Sequence, residues 1–354
     1  MEGHSRILFI TRKWAPAVGG METYCHQLTA ELAAIEPIEV IALPGQANGM
    51  PPKMPHLLRF GLTASLRAFF RRRLPDVLHI GDMVLWPLAL VGRMRGYRRI
   101  VISAHGTDVA FHRRGGLKGN AYGAYLRLGA LLLGKATIIA NSNATRDVTA
   151  GTGWRNIEVV PLATELRGPA PDGTHEDFIL FAGRLVERKG CAWFIRNVLP
   201  LLPAGSTLKV AGTGWDSDEL AALDHPAVEY VGNLQGTALI DAYRKAKCVI
   251  VPNIEPKSGE FEGFGLVATE GAAAGGLVLA STTGGLIQAI EEGVTGFGVP
   301  PGDSAAWAAA IGRISEWTDE QRKAFLARSM VHCQTYYSWD RVARETHLAY
   351  KIDK

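Results

Sequence analysis

Short runs of consecutive apolar residues alternate along this chain with longer stretches in which apolar positions recur every three or four residues. Residues 6–11, 38–43, 77–80, 100–103, 137–140 and 159–160 are runs too short for stable helices and read as buried strands. Between them lie amphipathic stretches, the first at about 21–32, with the spacing of a helix packed by one face. The same rhythm resumes at 178 and continues through strand candidates at 207–211, 228–231, 248–251 and 277–280. Buried strands alternating with helices predict a doubly wound parallel sheet, in which ligands sit beyond the carboxyl ends of the strands.

The break in the rhythm matters as much. Residues 162–177 are rich in Pro, Gly, Ala and acidic side chains without periodicity, which reads as a linker. A chain of 354 residues is longer than one hydrophobic core usually serves, so two domains are expected. Apolar content of 47% with 20% charged residues is that of a folded globular protein. The four cysteines, at 25, 191, 248 and 333, show no CxxC and no metal-ligand spacing, which suits buried thiols in a reducing compartment and points to the cytoplasm. The apolar run near the start is too short for a signal-peptide core, and residues 121–140 are interrupted by Arg127 and Lys135, so neither reads as a membrane span. A net charge of +4, with no basic run interleaved with aromatics, gives no reason to expect nucleic acid.

Candidate chemistry concentrates at 262–276. The strand at 248–251 feeds a turn-rich loop that ends in Gly263-Phe264-Gly265, and an Ala-rich helical run from Leu266 follows until Gly275-Gly276. Glycines before a helix let a ligand approach the main chain, and the first-turn amides lack intrahelical acceptors, so an anion suits this place. Glu262 and Glu270 bracket it. Carboxylates beside an anion site make sense as hydrogen-bond acceptors for hydroxyls, which together suggests a sugar nucleotide. Two solvated surface glutamates are the alternative reading.

Other strand ends carry further candidates. Gly183-Arg184 through Lys189-Gly190 forms a cationic loop after the strand at 178, and Gly212 and Asn233-Leu234 follow the next two strands. Gly19-Gly20 lies between the first strand and first helix, yet the G-x-G-x-x-G spacing of dinucleotide sites is missing. His105, in Ala104-His105-Gly106-Thr107-Asp108, sits at the end of the fourth strand. Asn141-Ser142 stands at another strand end, where a helix N-cap explains it equally well. Asp216-Ser217-Asp218 spells a D-x-D tripeptide, but Ser217 or Asp218 opening a helix with Glu219 in its first turn accounts for it better than a metal.

These motifs together resemble glycosyltransferase family 4, retaining enzymes of the GT-B fold, along nearly the whole chain. Glu262 to Glu270 matches the family's E-x7-E signature, and Gly183 to Gly190 its G-R-L-x-x-x-K-G segment. The resemblance implies two Rossmann-like domains facing across a cleft: an acceptor-binding domain at 1–163, a linker at 164–177, a nucleotide-sugar-binding domain at 178–335 and a C-terminal helix, 336–354, that crosses back to the first. It implies that Arg184 and Lys189 hold the donor's diphosphate, that Glu262 and His105 contact the donor sugar and that Glu270 holds ribose. Gly19, Gly20, Gly212, Asn233, Leu234, Gly263, Phe264, Gly265 and Leu266 are expected to line the nucleotide-sugar site. No cofactor and no metal is expected. The implied reaction moves a hexosyl unit, with retention, from GDP-mannose or a UDP-hexose to a glycan or lipid-linked acceptor. A sugar-nucleotide epimerase of the same fold and a non-catalytic nucleotide-sugar-binding protein are the alternatives.

Two basic stretches bear on the acceptor. Between His56 and Arg73, Leu58, Leu62, Leu66 and Phe69 recur at helical spacing beside Arg59, Arg67, Arg71, Arg72 and Arg73, the pattern of an interfacial helix. His112 to Lys118 reads as a basic, glycine-rich loop. Both could face an anionic membrane surface, which would place the protein at the inner face of the plasma membrane; a sheet-packing helix with a solvated basic side is the alternative.

Overall fold

Twelve strands pair among the described residues, and every strand pair is parallel, so each connection must run over a face of its sheet. The structure is a computed structural model and describes residues 6–17, 19–46, 52–256 and 258–351. Two compact units result, one reaching to Leu162 and including the segment from Trp339 onward, the other running from Ala163 to Ser338.

The first unit begins with β1 (Ile7–Thr11), α1 (Gly20–Ile35), β2 (Ile38–Ala42), α2 (Met54–Phe69) and β3 (Val77–Ile80). It continues through α3 (Trp86–Arg95), β4 (Arg99–Ala104), α4 (Thr107–Ala110), α5 (Gly116–Leu132), β5 (Thr137–Ala140), α6 (Asn143–Ala150) and β6 (Ile157–Val159). The sheet order is β2-β1-β3-β4-β5-β6. The chain steps outward from β1 to β2 and then returns to β3 on the other side of β1, so the topological switch lies between β1 and β3. β1 and β3 are buried at every position, which is why both read as mainly apolar runs, with Thr11 and His79 the exceptions, rather than alternating ones.

In the second unit the order of elements is β7 (Phe178–Ala182), α7 (Cys191–Asn197), β8 (Thr207–Ala211), α8 (Ser217–Ala221), β9 (Val228–Gly232), α9 (Gly236–Lys245) and β10 (Cys248–Val251). Then come α10 (Leu266–Ala273), β11 (Val278–Ser281), α11 (Leu286–Ala289), β12 (Phe297–Val299), α12 (Ser304–Ser315) and α13 (Asp319–Tyr336). Its sheet order, β12-β11-β10-β7-β8-β9, puts the switch between β7 and β10. The core beneath combines Phe181, Phe194 and Ile250 with Trp307 and Phe325 from α12 and α13.

The last helix, α14 (Trp339–Ala349), packs on α1 of the first unit. A buried chain of hydrogen bonds fastens its end: the Tyr350 hydroxyl meets His79 Nδ1 at 2.7 Å, His79 Nε2 meets Ser103 Oγ at 2.7 Å, and Ser103 Oγ meets the Tyr24 hydroxyl at 2.7 Å. Burial pushes His79 down to about 3, so the imidazole is neutral and can donate from one nitrogen and accept at the other.

The α/β doubly wound expectation holds, and β3 and β5 have the bounds read from the apolar runs. Two local readings change. The basic helix ends at Phe69, leaving Arg71 to Arg73 in the turn that follows. The stretch expected to be a glycine-rich loop opens a helix, because Gly115 at φ 68° turns the chain directly into α5. In the D-x-D tripeptide Ser217 opens α8 with Glu219 in its first turn, as expected; Asp216 caps the helix, accepting from the amides of Asp218 and Glu219, while Asp218 pairs with Arg196 at 2.7 Å.

Candidate functional site

Two loops meet at the switch point of the second sheet. One follows β7 and carries Arg184, Arg188 and Lys189; the other follows β10 and carries Asn253, Glu260 and Glu262. They pass so closely that a Cβ on Gly190 would lie 2.1 Å from the Pro252 carbonyl oxygen, and Gly190 also takes φ 70°, so a side chain is excluded twice over. The contact is reinforced where the Ile254 amide donates to the Arg188 carbonyl at 3.2 Å.

Lys189 Nζ lies 2.5 Å from Glu262 Oε2 at the centre of this meeting. Arg188 reaches the same oxygen at 3.6 Å and Glu260 at 3.7 Å, and Asn253 Nδ2 donates to Glu262 at 3.1 Å. Burial alone would raise the Glu262 pKa, but Lys189 and then Arg188 outweigh it and hold the carboxyl at about 2. Glu262 is therefore an ionised hydrogen-bond acceptor throughout the physiological range and cannot act there as a proton donor. Arg188 Nη1 and Asn253 Oδ1 are buried without a hydrogen-bond partner among the described residues, so the cluster holds unused polar capacity beside its charges.

Gly265 caps α10 in the left-handed region, at φ 95° and ψ 56°, without a side-chain cap. A Cβ there would sit 2.3 Å from Leu286 Cδ2. The helix start therefore presents backbone rather than side chain. Glu270 lies just over one turn into α10 and meets the Tyr243 hydroxyl at 3.5 Å. Burial pushes its pKa up and Lys189 opposes that push, so the two candidate carboxylates differ in kind. Arg184 is exposed, and its charge is felt at Lys189.

The remaining candidates of this unit are spread along the same sheet edge. Gly212 ends β8, where its amide donates to the Gly232 carbonyl at 2.8 Å and its carbonyl accepts from the Tyr230 hydroxyl at 2.9 Å. Asn233 is exposed and Leu234 half-buried, just past β9. Gly263 and Phe264 are buried; the Phe264 side chain is core, packed near the Tyr337 ring. Leu266 is half-buried in the first turn of α10.

Gly19, Gly20 and His105 belong to the first unit, and the structure brings them together with none of the charged cluster inside one unit. Gly20 opens α1, and the Gly19 carbonyl accepts from the Thr23 amide at 2.9 Å. His105 follows β4 with its ring edge-on to Tyr24 at 4.6 Å and its Nε2 2.9 Å from the Gly81 carbonyl. Asp108 accepts from the His105 amide at 2.8 Å, and Asn141 donates to the His105 carbonyl at 3.2 Å, so the loop is held from both sides. Ser142 is the N-cap of α6, accepting from the Thr145 amide at 3.0 Å.

The first switch point also carries an ion pair, which sequence reasoning missed. Arg12, directly after β1, lies 3.0 Å from Asp82, which follows β3 and is fully buried. Beside the pair is a cavity of about 310 Å³ lined by Arg12, Val84, Thr107, Asp108, Phe111 and Tyr122. Arg188 and Asn253 were missed as well. The available signal was position: each stands within two residues of a strand end or a glycine turn flanking a switch point.

Comparison with known proteins agrees in both halves. Residues 18–167 match a family model described as Glycosyltransferase Family 4, and residues 176–316 match one described as Glycosyl transferases group 1. The chain is 35% identical to an uncharacterized glycosyltransferase of Methanocaldococcus jannaschii over 186 residues, which are 50% of this chain and 45% of that protein. It is 27% identical to a glycogen synthase of Mycobacterium tuberculosis over an alignment covering 99% of this chain and 95% of that one. It thus spans less than half the length of the first relative and nearly all of the second. Among solved structures it resembles a sucrose-phosphate synthase from Thermosynechococcus elongatus, with a TM-score of 0.76 at 20% identity over 98% of each chain. HepE from Anabaena, solved in complex with UDP and glucose, gives a TM-score of 0.70 at 19% identity over 98% of this chain and 99% of that one. Between them the two family matches account for most of the sequence, and the chain belongs to the family 4 and group 1 glycosyltransferases, with the GT-B fold.

Proposed function

We propose that the protein transfers a hexosyl unit, with retention of configuration and without a metal, from a nucleoside diphosphate sugar to a glycan or lipid-linked acceptor in the synthesis of a polysaccharide or glycolipid. The observation that carries this is the Lys189–Glu262 pair at the switch point of the second sheet, with Arg184 close by and the backbone start of α10 beside it. HepE, a neighbour in fold, is crystallised with UDP and glucose, which supports a nucleotide-sugar donor.

As the glycosidic bond breaks, negative charge gathers on the departing diphosphate. Cations fixed in advance stabilise that charge most where it is greatest, in the transition state. In this reading Lys189 is a point charge and Arg184 a fork for two phosphate oxygens. Glu262, ionised and already oriented by Asn253, accepts from sugar hydroxyls, while Glu270 accepts from ribose. His105 contacts the hexose. An oxocarbenium-like species attacked from the leaving-group face needs no protein nucleophile, and a permanently ionised, cation-paired Glu262 suits stabilisation better than proton transfer. The acceptor lies against the Phe111 and Tyr122 wall of the first unit's cavity.

The D-x-D tripeptide already has structural work, Asp216 as a helix cap and Asp218 against Arg196, which supports metal independence. Transfer measured across a panel of nucleotide sugars, with and without chelator, tests the reading. Chelator-insensitive transfer is expected. Strict dependence on added Mn or Mg, or isomerised donor appearing without acceptor, would contradict it.

A further inference from the structure

Helix α2 is apolar on the wrong side. Its inward face, Phe60, Ala64 and Ala68, is buried in the core of the first unit. On the opposite face Met54, Leu58, Leu62 and Leu66 follow one another at four-residue intervals and are 65%, 68%, 62% and 47% exposed. Phe69 and Phe70 close the row, the latter 74% exposed. The row spans a helix of 16 residues, about 24 Å long. A helix apolar on both faces belongs between two apolar phases, and the described residues supply only one of them.

Charge identifies the second phase. From Val40 to Pro75 the chain has no acidic residue but carries Lys53, Arg59, Arg67, Arg71, Arg72 and Arg73. Arg71 is spent on Glu39, to which it donates from both terminal nitrogens. The other five are exposed. Arg95 fixes the corner by donating to the carbonyls of Phe69 and Arg71 at 2.8 and 3.2 Å, so Arg72 and Arg73 sit at a defined end of the apolar row.

We infer that the outward face of α2 docks on an anionic lipid bilayer, the leucines entering the acyl boundary and the flanking cations meeting lipid phosphates. Cations beside an apolar stripe suit a negatively charged interface. A second copy of the chain suits it poorly, since an isologous contact would press the same five cations against their counterparts. No helix among the described residues is long and apolar enough to cross a membrane, so this face is a means of lying on one. The inference extends the reading of a lipid-linked acceptor but stands without it, because none of these residues belongs to either switch-point cluster.

Flotation tests it. The full chain should recover with vesicles of phosphatidylcholine containing phosphatidylglycerol about tenfold or more over phosphatidylcholine alone, and raised salt should reduce that recovery. The variant Leu58→Asn with Leu62→Asn keeps every charge and should fall to the neutral-vesicle level without a change in melting temperature. Arg59→Gln with Arg67→Gln should lose binding in part. Equal recovery on both vesicles would overturn the inference. So would retained anionic binding in the double Asn variant, or self-association without flotation that the same variant abolishes.

Discussion

The two halves of this chain solve one topological problem with different chemistry. Each is a six-stranded parallel sheet whose switch point is bridged by an ion pair between the loops on either side, Arg12–Asp82 in the first unit and Lys189–Glu262 in the second. In the second, further charged and amide groups crowd the same oxygen, and a glycine-capped helix start lies alongside. In the first, the pair stands beside an aromatic-walled cavity, and Asp82 spends part of its capacity accepting from the Val84 amide. The fold decides where a ligand can sit, and the loop residues decide which ligand suits the place. A polyanion suits the second switch point; a ring with an apolar face suits the first.

The sharpest way to break that contrast is Lys189→Ala. Turnover of the folded fraction should fall about a thousandfold, as when one preorganised transition-state contact is lost, and a melting curve separates this from the destabilisation of leaving buried Glu262 without its nearest cation. A steady-state assay with near-normal turnover would remove the charge-based reading of the second switch point.

Acid unfolding separates the halves by pH. The folded-state pKa of Glu262 is depressed from an ordinary 4.5 to about 2, so its contribution is fully present above 4.5 and lost as pH falls through 2. His79 is depressed from 6.5 to about 3, so its contribution starts to be lost below 6.5. The first unit should therefore weaken at a higher pH than the second. Glu262→Gln should flatten only the more acidic part of a stability-against-pH curve followed by denaturant titration, an effect of at most about 3 kcal/mol. Flattening by Glu262→Gln of the range just below pH 6.5, where His79 begins to titrate, would contradict the assignment.

Arg12→Ala should raise the KM for acceptor roughly tenfold to a hundredfold while leaving donor binding untouched, since it removes a cavity wall and strands buried Asp82. An effect on donor affinity instead would move the acceptor elsewhere. The smallest effect expected is on backbone strain: Gly265→Ala, at φ 95° with Leu286 in the way, should lower stability by about 1–3 kcal/mol, read as a fall in Tm.

How much of this was visible in the sequence follows from how far each feature reaches along the chain. Strands β3 and β5 were legible because a buried parallel strand is mostly apolar, three residues of four in each. Glu262, Gly265 and Glu270 were legible because a loop, a helix start and its first turns fall within one short window. Arg12–Asp82 was not, since its members are 70 residues apart and only sheet pairing joins them. The same holds for the Tyr24–Ser103–His79–Tyr350 chain, which spans nearly the whole sequence. Arg188 was hidden in another way: beside Arg184 and Lys189 it looked like one more exposed loop cation, and only the fold shows it buried against Glu260 and Glu262.

Calorimetric titration of a nucleoside diphosphate into the wild-type chain and into Lys189→Ala addresses the second switch point directly. Saturable binding to the wild type, weakened by about thirtyfold or more in the variant, is what a desolvated charge-to-phosphate contact requires. Equal affinity in the two proteins, or no binding of any nucleoside diphosphate to the wild type, would show that the Lys189–Glu262 cluster is a structural ion pair and not the donor site.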